Sequence, residues 1–195
     1  LVSLRPYYAE KPWRSEAEHG GGSLFNQGVH NLDLMLWLFG AVDSVQGKTA
    51  TLGHTHAVED TTAALLSFAS GTLGVIVTST ALPPGRPAVL RLFTDRGSCE
   101  LANDSIVRWD FADVAEPPSA AGVGSAASDP KAIGIEGHVA QWRDFVQAVR
   151  ERRPPASTFR DGFEAARLVD AVYRSAAEGR AVCPNEISAE AIHAS

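Results

Sequence analysis

Residues 61–81 read TTAALLSFASGTLGVIVTSTA, and their pattern decides the fold. Thr61–Ala69 and Thr72–Ala81 are rich in Thr, Val, Leu and Ile, side chains that pack well on a pleated surface. Ser70 and Gly71 between them supply a tight turn, so the stretch predicts a long antiparallel hairpin. Pro83, Pro84 and Pro87 around Gly85 end it, because proline has no N–H to give to a ladder.

Working outward, Val42–Thr51 is a further strand candidate, and TLGHTHAVED at 51–60 reads as an extended segment leading into a loop. Downstream, VLRLFTDRGSCELANDSIVRWDF at 89–111 continues the meander as short strands, separated by Asp95–Gly97 and Ala102–Ser105. Two amphipathic helices then close the chain. The first repeats Val139, Trp142, Phe145, Val146 and Val149 at helical spacing. The second opens on a capping-box pattern, Asp161 and Glu164, ahead of Phe163, Ala166, Val169, Val172, Tyr173 and Ala176, and stops at Gly179. The expected class is therefore α+β: a large, mostly antiparallel open sheet with helices packed on one face. The other sheet face carries enough apolar and Thr residues to call for a partner.

The 195 residues suit one large domain, 1–195. Ala112–Asp129 is poor in bulky apolar residues and reads as a mobile or variable excursion rather than a second domain. The net charge of −6, with no run of Lys or Arg, argues against nucleic acid as a partner. The longest apolar stretch, Leu32–Phe39, is interrupted by Asp33 and falls far short of the roughly 20 residues that cross a bilayer. Cys99 and Cys183 lie far apart and form neither a disulfide framework nor a zinc motif, which fits a reducing, cytoplasmic setting. The chain opens on Leu1 without a signal-peptide pattern, consistent with an excised domain and equally with processing.

The helix expected over Ser23–Phe39, after the glycine run Gly20–Gly22, carries the chemistry. It is apolar on nearly every side and stops at Gly40, so it calls for a sheet on one face and other protein on another. Asn26, His30 and Asp33 interrupt it at i, i+4 and i+7, along one side. Leaving each unpaired in an apolar setting would cost about 1–3 kcal/mol, so they need protein partners or a wet cleft. Two readings follow. In one, His30 is an acid or base, since imidazole titrates nearest neutrality, Asn26 orients substrate or ring, and Asp33 anchors a loop or fixes the tautomer. In the other, His30 is a hydrogen-bonded interior histidine and Asp33 a structural cap. His54 and His56, with Glu59 nearby, superficially suggest a metal site, but such residues before a hairpin are more often surface polar groups, and no metal is assigned. Trp13 and Arg14 could line a sugar cleft by stacking and a charged hydrogen bond, or anchor the arm. Neither a dinucleotide-binding glycine fingerprint nor a nucleophile elbow is present.

The stretch YYAEKPWRSEAEHGGGSLFNQGVHNLDLMLWLFG resembles the start of the second domain of the glucose-fructose oxidoreductase and inositol dehydrogenase family, with WR, triple Gly, NQGVHNLD and LFG in that order. The resemblance continues through VEDTTAALLSFASGTLGVIVTST, RLFTDRGSCEL, HVAQWRDFVQAVRERRPP and DGFEAARLVDAVYRSAAEGRAV. It implies a C-terminal substrate-binding and oligomerisation domain of an NAD- or NADP-dependent dehydrogenase. The dinucleotide would be bound mainly by an N-terminal Rossmann domain that this chain lacks, and without that domain the chain would be inactive. It also implies hydride transfer to or from a sugar or polyol, and a homo-oligomer built through the open sheet face. By resemblance, His30 takes the family's proton-transfer position beside a Lys from the Rossmann half, and Asn26 stands where many members carry a substrate-binding Asp. Asp33 would organise the site, Glu59 and Asp60 would be structural near it, and Trp13 and Arg14 would contact substrate. An EKP like the family's lysine motif occurs at Glu10–Pro12, but just before the WR and Gly run, so Lys11 is not assigned. The alternative is a non-catalytic sugar-binding or oligomer-forming module with the same fold.

Overall fold

The computed structural model describes residues 11–82, 86–102, 105–117 and 136–187. Most of the excursion expected at 112–129, the start of the arm and the end of the C-terminal tail lie outside the described residues. The chain divides into two compact units, Leu1–Pro84 with Phe159–Ser195, and Gly85–Thr158.

The first unit contains strands β1 (Val42–Ala50), β2 (Thr61–Phe68) and β3 (Leu73–Ser79), and helices α1 (Val29–Phe39) and, later in the chain, α3 (Phe159–Glu178). The second contains β4 (Val89–Thr94), β5 (Gly97–Ala102), β6 (Ser105–Phe111) and α2 (Glu136–Glu151).

In the first unit the predicted hairpin is β2–β3, antiparallel, with Leu65 opposite Val75 and Ala63 opposite Val77. Its turn is closed by Gly71 N–H donating to the Phe68 carbonyl at 2.9 Å. β1 pairs antiparallel with the other edge of β2, and a bulge between Val42 and Ser44 lets both Val42 and Val45 face the core although they are three residues apart. Val45, Ala64, Leu66, Phe68 and Ile76 make the buried sheet face. Ala165, Leu168, Val169 and Val172 bring α3 against it. The approach is closest at Gly47, where any Cβ would stand 2.9 Å from Val172. Gly47 N–H also donates to Ser175 Oγ at 3.0 Å, and Ser175 Oγ–H donates to the Arg180 carbonyl at 2.5 Å. Helix α3 starts at Phe159, so Asp161 lies inside its first turn rather than at the expected cap.

The helix predicted over 23–39 opens as a π-helical turn, Leu24–Gly28, and continues as α1. Leu24, Leu32 and Met35 are buried, and Phe39 meets Phe68 of β2 with ring centroids 5.4 Å apart. Trp37, in contrast, is 79 % exposed, and Phe25 and Leu38 are also exposed. Burial on most sides is therefore not achieved by the described residues: the helix has one covered stripe.

In the second unit, β4, β5 and β6 pair antiparallel in that order, with Cys99 between Leu92 and Trp109. The α+β class and the antiparallel pairing hold, while the strands form two three-stranded sheets where the sequence reading expected one large one. The proline-rich LPPGRPA run at 82–88 separates the two sets in sequence. Among the described residues, no helix is long and apolar enough to cross a membrane.

Candidate functional site

The site region is built where the arm, the Gly run, the β1–β2 connection and α3 meet the start of the leading helix, all within the first unit. Gly22 N–H donates to the Arg14 carbonyl at 3.2 Å and Gly21 N–H to the Glu16 carbonyl at 2.9 Å, which ties the short 3-10 turn Pro12–Ser15 to the Gly run. Gly22 sits at φ +100°, a conformation that favours glycine, and a Cβ there would fall 2.7 Å from Glu59 Oε1.

That proximity reflects an unusual cap. The first N–H groups of any helix lack partners within it. Ser23 makes no side-chain cap bond here. The Glu59 carboxylate fills the role from the connection ahead of β2: Oε1 accepts from Leu24 N–H and from the Tyr173 hydroxyl, both at 2.9 Å, and Oε2 accepts from Ser23 Oγ–H at 2.6 Å. The Tyr173 hydroxyl also accepts from Phe25 N–H at 3.3 Å, and Ser23 Oγ lies 3.0 Å from Thr78 Oγ1 on β3.

Asn26 lies within the π turn and is half-buried, His30 is exposed in the first turn of α1, and Asp33 is exposed one turn further on. π turns concentrate at functional positions because they re-aim side chains that a regular helix would align. Between Asn26 and His30 the wider turn relaxes the i, i+4 alignment, whereas His30 and Asp33, at i, i+3 on α1, share one side. The stripe is therefore not embedded in the core; its last two members face outward. Trp13 is 40 % exposed, with the Arg14 guanidinium 5.6 Å from its ring centroid, so this pair is gathered on the arm.

Asp60 is fully buried and serves the loop between β1 and β2. Its carboxylate accepts from Leu52, Gly53 and His54 N–H at 2.8–3.0 Å and from Thr61 Oγ–H at 2.9 Å, and His54 Nδ1 is 3.1 Å away. Burial alone would push its pKa up, but these donors outweigh it and hold the carboxyl at about 2, below the usual 3.8. The rings of His54 and His56 stack with centroids 5.0 Å apart, and His56 Nδ1–H donates to the Val58 carbonyl at 3.0 Å. Among the described residues, no group of three or more His, Cys, Asp or Glu side chains is arranged to hold a metal ion.

A cavity of about 400 Å³ lies beside the cap, lined in part by Gly21, Phe25, Val58, Glu59, Asp170 and Tyr173. Neither Asn26 nor His30 lines it. Sequence reasoning missed Ser23, Thr78 and Tyr173 as members of this region. A serine directly after a glycine run is a visible helix-start signal, whereas no spacing links residue 173 to residue 59.

Residues 2–100 match the family model described as the GFO/IDH/MocA C-terminal domain, and residues 134–183 match the C-terminal alpha/beta domain of the oxidoreductase family. The rhizopine catabolism protein MocA of Rhizobium meliloti is 27 % identical over 88 % of this chain and 49 % of its own length. The D-apiose dehydrogenase of Paraburkholderia graminis is 32 % identical over 84 % of this chain and 45 % of its own length. The chain thus spans about half the length of the curated relatives it matches. Among solved structures, the WlbA dehydrogenase of Bordetella pertussis, in complex with NADH and UDP-GlcNAcA, superposes with a TM-score of 0.74 at 28 % identity, over 92 % of this chain and 50 % of that one.

Proposed function

Because the chain belongs to the GFO/IDH/MocA oxidoreductase family and matches its C-terminal domains, we propose that it is the substrate-side domain of an NAD- or NADP-dependent dehydrogenase. The substrate class is a sugar, polyol or related hydroxy compound, and the reaction a hydride transfer. The observation that carries this reading is the leading helix, which presents His30 outward in the turn directly after the π turn bearing Asn26. An imidazole open to a ligand can take or give a proton. D-Apiose dehydrogenase among the relatives supports a sugar, and NADH in the Bordetella pertussis structure supports a nicotinamide.

The start of the leading helix is poorly suited to seat the pyrophosphate of a dinucleotide. The N–H groups of Leu24 and Phe25 at the start of the leading helix are taken by Glu59 and Tyr173, and a carboxylate seated there repels a pyrophosphate. On this reading NAD or NADP is held mainly by a separate N-terminal Rossmann domain, and residues 1–195 alone do not turn over. This chain's own share is narrower. His30 takes or returns the proton of the reacting hydroxyl, and Asn26, a neutral donor and acceptor, orients that hydroxyl. Asp33 organises the His30 face, Glu59 and Asp60 support it from behind, and Trp13 and Arg14 contact substrate from the arm. Free Cys99 and Cys183 fit a reducing, cytoplasmic setting.

The test is steady-state turnover of the full-length gene product with sugars and polyols. His30→Ala is expected to lower kcat by about a hundredfold or more, the usual contribution of a positioned acid–base group. Undiminished turnover in that variant would remove His30 from the chemistry.

A second reading, an assembly or sugar-binding module without catalysis, draws on the outward face of the first sheet. Leu65, Leu73, Val75 and Val77 stand there in adjacent rows, Leu73 and Val75 about 70 % exposed. The same face supports a homo-oligomer in either reading, with a second copy of the chain as its occupant.

A further inference from the structure

We propose that Glu59 and Tyr173 are positioning residues: together they fix the π turn bearing Asn26, and with it the first turn of α1 bearing His30, against the sheet. The inference rests on the catalytic reading above.

Ordinarily a helix is capped by its own preceding residue, so its start can move without disturbing the rest of the fold. Here the acceptors come from elsewhere in the chain. The Glu59 carboxylate takes Leu24 N–H, and the Tyr173 hydroxyl, from α3, takes Phe25 N–H while donating to the same carboxylate. The single hydrogen of Ser23 Oγ goes to Glu59 Oε2, so the contact with Thr78 is a donation from the threonine hydroxyl, which brings β3 into the chain of bonds. Ser23 N–H donates in turn to the Glu59 carbonyl at 3.2 Å. Glu59 is itself held, because the next residue is the buried Asp60, clamped by the loop amides.

The network thus ties three parts of the unit, the β1–β2 connection, β3 and α3, to one short segment, and that segment is π-helical. Such turns persist where surrounding structure over-determines them. If Asn26 and His30 act on a substrate hydroxyl, a displacement of their segment by about 1 Å is enough to cost up to a hundredfold in rate. Neither Glu59 nor Tyr173 has to touch substrate for this.

The test uses Tyr173→Phe, which keeps the ring and removes the hydroxyl, together with Glu59→Gln and Glu59→Ala. In the chain itself, native-state exchange of the Leu24 and Phe25 amides is expected to quicken about tenfold or more in Tyr173→Phe. In the full-length gene product, kcat should fall by a similar factor while KM stays within about twofold, the signature of a lost transition-state arrangement. Glu59→Gln keeps an acceptor for Leu24 N–H and should retain most of the turnover that Glu59→Ala loses. Unchanged amide exchange or unchanged kcat in Tyr173→Phe overturns the proposal, as does a Gln variant as impaired as the Ala variant. Full turnover in His30→Ala would instead overturn the catalytic reading, while the amide exchange would still report on the cap.

Discussion

The carboxylate of Asp60 has no exposed surface, and it gathers three backbone amides and a threonine hydroxyl into one loop. Its pKa of about 2 in the fold lies below the ordinary 3.8. The ionised form is therefore favoured by folding, and its contribution to stability is complete above about pH 4 and lost as the pH falls through 2. Asp60→Asn turns a donor-accepting oxygen into an NH2 facing other donors, and should cost on the order of 3 kcal/mol at neutral pH. Urea titrations between pH 2 and pH 6 check this: the wild type should lose stability more steeply below pH 4 than the variant. Parallel curves would show that Asp60 does not supply the acid sensitivity. The sequence marked Asp60 only through resemblance, because most of its partners, the amides at 52, 53 and 54 and the Thr61 hydroxyl, are groups that no side-chain pattern announces. The shared side of His30 and Asp33 was legible, since helical spacing places them; the π turn that shifts Asn26 relative to them was not, nor was their exposure, which depends on what covers the helix.

Among the elements, the β2–β3 hairpin was the most legible, its Ser70–Gly71 turn and flanking apolar runs all pointing to one register. The π turn and the β1 bulge were hidden. Each inserts one residue's worth of irregularity, which changes where side chains point without changing residue types. The start of α3 was also displaced, since Phe159 and Arg160 continue the helix ahead of the Asp161–Glu164 pattern. Gly47 gives the packing of α3 on β1 a direct probe. Gly47→Ala places a methyl 2.9 Å from both the Val172 side chain and its carbonyl. The helix must shift to admit it, which should lower stability by about 1–3 kcal/mol, read as a lower Tm. An unchanged Tm would show that the contact is looser than this register requires.

For the molecule as a whole, the α+β class was legible in the sequence, while the grouping of the strands among the described residues into two three-stranded sheets was not, because strand patterns alone do not say which strands pair across a proline-rich break. The outward rows Leu65–Val75 and Ala63–Val77 give the oligomer proposal its test. Val75→Asp with Val77→Asp would put two carboxylates into an interface core, where each is strongly unfavourable unless paired. Light scattering should report a smaller species than the wild type with the fold intact by circular dichroism. The same mass for both proteins would exclude this face from assembly.

In the proposed reaction, His30 meets the substrate hydroxyl while a hydride passes to a nicotinamide. Its most direct measurement follows deuterium from the carbinol carbon of labelled sugars and polyols, supplied with NAD or NADP to the full-length gene product and to its His30→Ala variant. The reduced nicotinamide should carry the deuterium with at least one substrate, and the variant should form it about a hundredfold more slowly. Reduced nicotinamide without the label, or equal rates in the two proteins, would contradict this reading.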